Sequence, residues 1–392
     1  MRNWLVGLML LMSLAFVYGC DTGNQVRVAV AGPFTGTAAA FGEMIKRGAQ
    51  LKEKEINEAG GINGKMLKLV FKDDAGKPKD ASNVANSIAD NRRFLAVVGH
   101  FNSSCSLAGK PIYKQKGIVE LSPGSTNVKV CEGSDWTFRN LYRDDFQGQF
   151  VAEYVNKYIN EIKTVAILFD NDDYGRGLRD GFTSAAGNFG LNIVASEAYD
   201  RNSTDFKAQL TGIKAKNPDL VFISGLYSEA GLIVKQGREV GITAQFFGAD
   251  GVDSPDFLTV AGDAAEGTYL TTPFIFSEGG GEALRVAEAF KTEFNGIEPD
   301  TWAALSYDAV GMIAEAIEKT FDQDASLADK RKAIRDHLAS LNTPEKGYTG
   351  ITGLTYFDKN GDTVNKPAYV KIVENGKFIT APQQLLNAGS QE

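Results

Sequence analysis

The feature that most constrains the fold is a repeated alternation between short apolar runs and longer segments of helical periodicity. The first run, VRVAVA at residues 26–31, is nearly continuous and is typical of a strand covered on both faces of a parallel sheet. A helical pattern over residues 36–59 follows and ends at a Gly-Gly pair. This alternation predicts parallel strands joined by right-handed helical crossovers, which is a doubly wound α/β unit.

The alternation runs through two units. In the first, later strands are predicted at residues 67–71, 95–98 and 118–121, and helices at 79–91 and 104–116. In the second, strands are predicted at 165–169, 192–195, 220–223, 245–247 and 268–270, and helices at 145–160, 175–188, 206–216 and 229–240. Helical patterns at 282–294, 301–320 and 328–341 follow, and two strand-like segments, 354–357 and 368–373, are joined by a turn signal at 359–362. Because helices remain after the second unit, we expect the chain to return to the first.

Composition sets the broad class. The chain has 392 residues, 43% of them hydrophobic and 23% charged, which is enough for two domains with their own cores. The net charge of −8 and the lack of a basic cluster with interleaved aromatic residues argue against a nucleic-acid partner.

The N-terminus has the order of an export signal. Arg2 precedes an almost unbroken apolar stretch at residues 4–18, which is too short to span a membrane comfortably. We predict that residues 1–20 form this signal. The segment Val17-Tyr18-Gly19-Cys20 resembles a bacterial lipobox, which implies lipidation of Cys20, although an ordinary cleaved signal or an uncleaved anchor stays open. In the same resemblance, Asp21 implies retention on the inner membrane.

If the chain is exported, its two remaining cysteines, Cys105 and Cys131, lie in an oxidising compartment. In an oxidising compartment a pair is more often bridged than free, so we predict a disulfide between them, with two unrelated buried thiols as the alternative. No CxxC motif is present and the only histidines are His100 and His337, so we expect no metal site.

Two enzyme classes are disfavoured by the strand-end loops. The first loop, GPFTG at residues 32–36, lacks the GxGxxG pattern, and Pro33 has no N–H to offer a pyrophosphate. There is also no GxSxG motif for a hydrolase nucleophile. We therefore expect no catalysis and no cofactor.

Hydroxyl groups are concentrated in two neighbouring loops. Residues 99–104 read GHFNSS and residues 122–127 read SPGSTN, each after a predicted strand. The first loop also starts a helix, whose unpaired N–H groups favour an anion such as a carboxylate. The alternative is that Ser103 or Ser104 only caps its helix.

Acidic groups follow two strands of the second unit. DNDDYG at residues 170–175 and GADGV at 248–252 stand at predicted strand ends. A buried carboxylate needs a cationic partner, so Asp250 is a candidate for contact with an ammonium group. Its alternative role is to cap the following turn.

Together these segments resemble the branched-chain amino acid binding proteins of ABC transporters, which are type I periplasmic binding proteins. The resemblance covers residues 26–373 and rests on these segments: VAVAGPFTGTAAAFGEMIKRGAQL, AGGINGKMLKLVFKDD, VVGHFNSS, SPGSTN, DNDDYGRG, FFGADGV and WAALSYDAV. It implies two Rossmann-like lobes joined by three crossovers, lobe 1 from residues 26–143 with 274–353 and lobe 2 from residues 144–273 with 354–382.

The resemblance also implies a set of ligand contacts. Ser103 and Thr126 would take an α-carboxylate, with backbone groups of Phe101, Gly124 and Ser125 nearby, and Asp250 would take the ammonium, one methylene shorter than the more usual glutamate. Tyr174 would cover the ligand from the second lobe. Phe41, Leu226 and Trp302 would form an apolar wall that favours an aliphatic or aromatic side chain.

The resulting expectation is an exported receptor that closes on a free amino acid and presents it to an inner-membrane ABC permease. Its location would be the periplasm or cell envelope, with a lipid anchor if Cys20 is modified. A binder of another small solute, such as an amide, an aromatic acid or γ-aminobutyrate, and a sensor ectodomain on the same scaffold stay open as alternatives.

Overall fold

The computed structural model describes residues 24–159 and 161–385. The predicted leader and the predicted lipidation site at Cys20 lie outside them. The described strands are β1 (Gln25–Gly32), β2 (Met66–Asp73), β3 (Phe94–Val98), β4 (Val119–Ser122), β5 (Thr137–Arg139), β6 (Thr164–Asp170), β7 (Asn192–Tyr199), β8 (Leu220–Ser224), β9 (Gln245–Gly248), β10 (Tyr269–Thr272), β11 (Tyr348–Gly350), β12 (Gly353–Thr355), β13 (Tyr369–Glu374) and β14 (Lys377–Thr380). The described α-helices are α1 (Ala39–Glu58), α2 (Pro78–Asp90), α3 (Ser103–Lys116), α4 (Asp144–Tyr158), α5 (Asp173–Ala186), α6 (Lys207–Ala215), α7 (Tyr227–Glu239), α8 (Pro255–Ala261), α9 (Gly280–Glu293), α10 (Thr301–Thr320) and α11 (Leu327–Ser340).

The first sheet is entirely parallel, with the order β2-β1-β3-β4-β5. Every residue of β3, sequence FLAVV, is buried, as expected for a strand covered by helices on both faces. The strand order reverses direction between β1 and β3, and a crevice opens at such a point beyond the carboxyl ends of the strands.

The second sheet repeats this plan and adds two antiparallel strands at one edge. Its order is β14-β13-β10-β9-β8-β6-β7, so β6 and β8 flank its own reversal point. The strand-like segments 354–357 and 368–373 do not pair with each other. Instead β12 pairs with β11 in a separate hairpin, while β13 pairs with β10 and β14.

The last three helices return to the first sheet. Helix α10 packs so closely on α1 that a Cβ at Gly48 would lie 2.1 Å from the Ala303 carbonyl oxygen, which leaves room only for glycine. The Arg331 guanidinium of α11 donates to the Phe94 carbonyl at 3.0 Å, on β3. The α/β architecture of two doubly wound units is thus confirmed.

A buried ion pair fastens two of the segments that connect the sheets. Arg139 Nε, at the end of β5, lies 2.6 Å from Asp362 Oδ1, between β12 and β13. The Arg143 guanidinium reaches the other oxygen of Asp362 at 3.3 Å. The segment that leads from β5 to α4 is therefore tied to the segment between β12 and β13.

Within the described ranges, no helix combines the length and the apolar character needed to cross a membrane.

Candidate functional site

A small cavity lies where the carboxyl ends of the two sheets face each other. Both sheets contribute to its walls. Its lining consists of Phe101, Asn102, Ser103 and Gly124 from loops of the first sheet, Tyr174, Leu226, Asp250 and Gly251 from the second, and Trp302 from α10. Seven of the ten predicted ligand contacts are in this set, while Phe41, Ser125 and Thr126 lie behind it.

Around the cavity, residues that follow strands of one sheet form hydrogen bonds with residues on the other side of the cavity. Asn127 Nδ2 donates to the Asp173 carbonyl at 2.6 Å, and Trp302 Nε1 donates to the Asp253 carbonyl at 3.2 Å. The cavity is therefore shielded from water, and electrostatic interactions inside it are stronger than at the surface.

One end of the cavity is formed by the start of α3. Asn102 is the N-cap residue and its side chain makes no capping bond, while Ser103 Oγ accepts from the Asn127 N–H at 3.2 Å. Ser103 thus links the two hydroxyl-rich loops instead of capping its helix. A helix N-terminus of this length favours an anion, and Ser103 stands beside it at the cavity wall.

Ser125 braces the second loop against the first. Its hydroxyl lies 2.9 Å from the Phe101 carbonyl and 3.2 Å from the His100 carbonyl, and the Ser122 hydroxyl donates to the same His100 carbonyl at 2.6 Å. Because the Ser125 side chain is committed to these bonds, its contribution at the cavity is to position the backbone next to Gly124.

Below these loops lies a buried polar cluster that fixes His100. Its Nδ1 is 2.6 Å from Asp74 Oδ2 and its Nε2 is 2.9 Å from the Tyr113 hydroxyl. Both ring nitrogens are occupied and the ring is fully buried, so His100 supports the loops structurally. Burial raises the pKa of neighbouring Glu120 to about 7, and its Oε1 accepts from the His100 N–H.

Asp250 forms the opposite, acidic end of the cavity. It is 1% exposed, and its Oδ1 accepts from the Tyr174 hydroxyl at 2.6 Å and from the Gly251 N–H at 3.0 Å. Burial raises its pKa to about 6 despite these hydrogen bonds. Among the residues that the structure describes, no Lys or Arg pairs with this carboxylate, so a ligand cation would find it uncompensated.

Aromatic rings form the apolar wall. Phe101 and Trp302 meet edge to face with centroids 4.9 Å apart, and Phe41 lies behind them at 4.9 and 5.4 Å from the two rings. The ring of Tyr227, at the start of α7 beside the second sheet, contacts Phe41 with centroids 4.9 Å apart. Leu226 completes the wall, so Phe41 and Tyr227 support it from outside the lining.

Several residues of the site were not predicted. Asn102 lines the cavity and could have been found, since it precedes Ser103 in the quoted loop. Gly251 has a steric reason to be glycine, because a Cβ there would lie 2.6 Å from the Gly225 carbonyl oxygen and 2.8 Å from the Tyr174 hydroxyl. Gln147 and Asp144 of α4 are buried near Asp250, and no local sequence signal marks them.

The predicted disulfide is wrong in this structure: Cys105 and Cys131 are free and buried. Cys105 lies in the first turn of α3, where Asp74 and Arg201 are charged neighbours, whereas the Cys131 sulfur lies 3.6 Å from the Gly361 carbonyl oxygen, beside Arg139. The two thiols face different parts of the molecule. The two cysteines follow neighbouring loops, but this does not bring their sulfur atoms within bonding distance.

A larger groove, lined on one side by residues 127–129 and on the other by α4 and α5, opens on the outer surface. Exposed polar side chains such as Arg176, Asp180 and Asn188 line it. A small molecule there would stay in contact with water, so the cavity lined by buried side chains is the better candidate site.

Comparisons with known proteins agree with this geometry. A family model described as periplasmic binding protein matches residues 25–377. The chain is 37% identical to an amino acid binding protein of Pseudomonas aeruginosa, over 95% of this chain and 97% of that one. It resembles the crystal structure of a leucine binding protein from Thermotoga maritima, with a TM-score of 0.83, 30% identity and coverage of 91% and 97%. It also resembles a branched-chain amino acid transporter substrate binding protein from Streptococcus pneumoniae in complex with isoleucine, with a TM-score of 0.81, 31% identity and coverage of 90% and 97%.

Proposed function

The chain belongs to the periplasmic binding protein family, and from this premise we propose that it is an exported receptor that binds one free amino acid between its two lobes. The observation that carries the proposal is the buried Asp250 carboxylate, which has no cationic partner among the described side chains and faces a cavity whose other end suits an anion. A zwitterion offers both complementary charges in one molecule.

The carboxylate of the ligand is assigned to the first lobe. Ser103 and the first turn of α3 supply the polar end of the cavity, and Thr126 lies fully buried next to the same loop. Helix N-terminal amides interact favourably with a carboxylate, and the interaction strengthens when water is excluded.

The ammonium is assigned to the second lobe. Tyr174 and the Gly251 N–H already orient one oxygen of Asp250. A ligand ammonium in this pocket would restore charge balance to the carboxylate, whose isolation is costly in low dielectric.

The side chain of the ligand is proposed to be aliphatic, with a branched-chain amino acid as the first choice. Phe101, Leu226 and Trp302 present apolar surface to the cavity. The names of the relatives from Thermotoga maritima and Streptococcus pneumoniae, which refer to leucine and to isoleucine, support this assignment.

Transport is proposed to follow from lobe closure. Residues 26–143 with 274–353 would form one lobe and residues 144–273 with 354–382 the other. The crossovers would act as the hinge, and the closed form would be presented to an inner-membrane ABC permease. The receptor would work in the periplasm and would be held at the inner membrane by lipid on Cys20. No chemical reaction is part of this proposal.

A melting-temperature screen tests the proposed function. The chain from Asp21 onward would be tested with the twenty amino acids, with amides, with γ-aminobutyrate and with aromatic acids. A ligand at a hundred times its Kd adds about 2.7 kcal/mol of stability, so a bound ligand raises the melting temperature measurably. Shifts with leucine, isoleucine or valine are expected. Shifts only with ligands that lack an α-ammonium group would contradict the proposal and favour another solute on this scaffold.

A further inference from the structure

Helix α5 has a glycine, Gly177, that faces the first sheet. A glycine inside a helix costs about 1 kcal/mol relative to alanine, so its presence needs a reason in the packing. For Gly181, one turn later, the reason lies within the second unit, because a Cβ there would lie 2.6 Å from the Asp144 carbonyl oxygen of α4. A Cβ on Gly177 would instead lie 2.4 Å from Asn127 Nδ2, which belongs to a loop of the first sheet. Gly177 thus makes room for a side chain from across the contact between the two sheets.

The Asn127 side chain is held in one orientation by its own loop. Its Oδ1 accepts from the Lys129 N–H at 2.9 Å, and its backbone N–H donates to Ser103 Oγ at 3.2 Å. The residue is 6% exposed. Because Oδ1 is occupied by the loop, the amide nitrogen Nδ2 points away from the loop and toward α5. The first sheet therefore presents a fixed hydrogen-bond donor to the second.

That donor reaches the first residue of α5. Asn127 Nδ2 lies 2.6 Å from the carbonyl oxygen of Asp173, the residue before Tyr174. Tyr174 orients Asp250 at the acidic end of the cavity, whereas Ser103 stands at the other end. The bond from Asn127 to Asp173, which we call the Asn127 bridge, therefore connects the two ends of the cavity. Asn127 itself is not part of the cavity lining.

The Asn127 bridge and Gly177 depend on each other. Gly177 lies one helical turn after Asp173, so the two residues share one side of α5. The 2.4 Å between an added Cβ and Asn127 Nδ2 is far inside the ~3.5 Å of van der Waals contact. Asn127 is buried and bonded on both sides, so its side chain cannot move aside without losing the bond to Asp173.

One other atom lies against Gly177. Oδ2 of Asp144, on α4, would be 2.6 Å from the added Cβ. Helices α4 and α5 follow each other in the second unit, so a clash with Asp144 would not depend on the first sheet. The two clashes are separable, because only the one with Asn127 disappears when the Asn127 side chain is shortened.

We propose that Asn127 and Gly177 are positioning residues for ligand binding: the Asn127 bridge forms against Gly177 when the two lobes close, and it keeps the carboxylate end and the ammonium end of the cavity in register. This inference rests on the proposed function. Because both residues act through closure and not through contact with the ligand, changing them affects the dissociation rate of the ligand more than its association rate.

A double-mutant cycle tests this role, with leucine as the probe, or the amino acid that raises the wild-type melting temperature most if leucine gives no shift. Calorimetry measures Kd, and stopped-flow tryptophan fluorescence measures the dissociation rate, since Trp302 lines the cavity. Gly177→Ala is expected to weaken binding at least about tenfold, because the added methyl group overpacks the contact. Asn127→Ala loses one hydrogen bond and is expected to weaken binding about fivefold. In the Asn127→Ala background, Gly177→Ala is expected to weaken binding less than about twofold further, since the clash has gone.

Gly212→Ala is the matched control. Gly212 lies in α6 of the second unit, and a Cβ there would meet nothing within 4 Å, so the probe should bind as it binds the wild type. Without ligand, Gly177→Ala and Gly212→Ala should both melt at or above the wild-type temperature, because alanine favours a helix. Weaker binding with a retained melting temperature distinguishes positioning from damage to the fold. If Gly177→Ala does not fold, Asn127→Ala still tests the bridge by its Kd and dissociation rate.

The outcomes separate the two claims. An equal loss from Gly177→Ala with and without the Asn127 side chain would assign the effect to Asp144 and overturn the proposal. Unchanged binding by Asn127→Ala would overturn it as well, and both results would leave amino acid binding by the wild type in place. A wild type that binds neither leucine nor any other amino acid would overturn the proposed function, and this inference with it.

Discussion

The Tyr174 hydroxyl lies 2.6 Å from Asp250 Oδ1, and both groups come from strand ends of the second sheet. This bond orients a buried carboxylate toward a cavity that the first sheet closes from the other side. No Lys or Arg of the described residues pairs with Asp250, so a ligand cation would balance its negative charge.

Amino acid binding is expected to weaken in acid. Burial raises the pKa of Asp250 to about 6, and a protonated carboxyl cannot pair with an ammonium. Affinity should be full above pH 7 and should fall as the pH drops below about 6, by up to roughly tenfold per pH unit. Calorimetry between pH 5 and 8 measures this, with melting temperatures of the free protein as the control for folding. A Kd that stays constant over this range would contradict the assignment of Asp250.

The crossover ion pair is expected to contribute to stability. Arg139 is fully buried and Asp362 nearly so, with 2.6 Å between them, so Asp362→Asn leaves a buried guanidinium poorly compensated. We expect a loss of about 3 kcal/mol in the free energy of unfolding, measured by denaturant titration. The exposed pair Lys116–Asp90, at 2.7 Å, is the control, and Asp90→Asn should cost less than about 1 kcal/mol. Equal effects of the two substitutions would contradict the importance of burial at the crossover.

Two free thiols are expected in the chain from Asp21 onward. Burial raises the pKa of both Cys105 and Cys131, so neither should react quickly with a thiol reagent in the folded protein, whereas both should react after denaturation. A thiol titration with and without denaturant counts them. A mass two hydrogens lower without reductant would show that a disulfide forms after all.

The sequence predicted the sheets better than it predicted their edges. Buried parallel strands such as β3 and β8 are short apolar runs, and these can be recognised because both faces need apolar side chains. Strand β14 and helix α8 were missed. β14, with the sequence KFIT, is half exposed and forms only because β13 is next to it. Its partner, and not its own pattern, determines its structure.

The candidate site could be predicted where it lies at strand ends. Ser103 and Asp250 lie within five residues of the carboxyl ends of buried strands, and the topology of parallel sheets brings such positions together. The positions of Asp144 and Gln147 depend on how α4 packs after β5. Whether Cys105 and Cys131 meet depends on the direction of their side chains. Neither property has a local pattern in the sequence.

The most direct test of the central claim, that Asp250 binds a ligand ammonium, is calorimetric titration of Asp250→Asn with the amino acid that stabilises the wild type most. We expect a loss on the order of 3–5 kcal/mol, which is a hundredfold or more in Kd, with an unchanged fold. Asp256→Asn, at an exposed acid of α8, should bind like the wild type. Retention of affinity within a few-fold in Asp250→Asn would show that Asp250 does not bind the ligand ammonium.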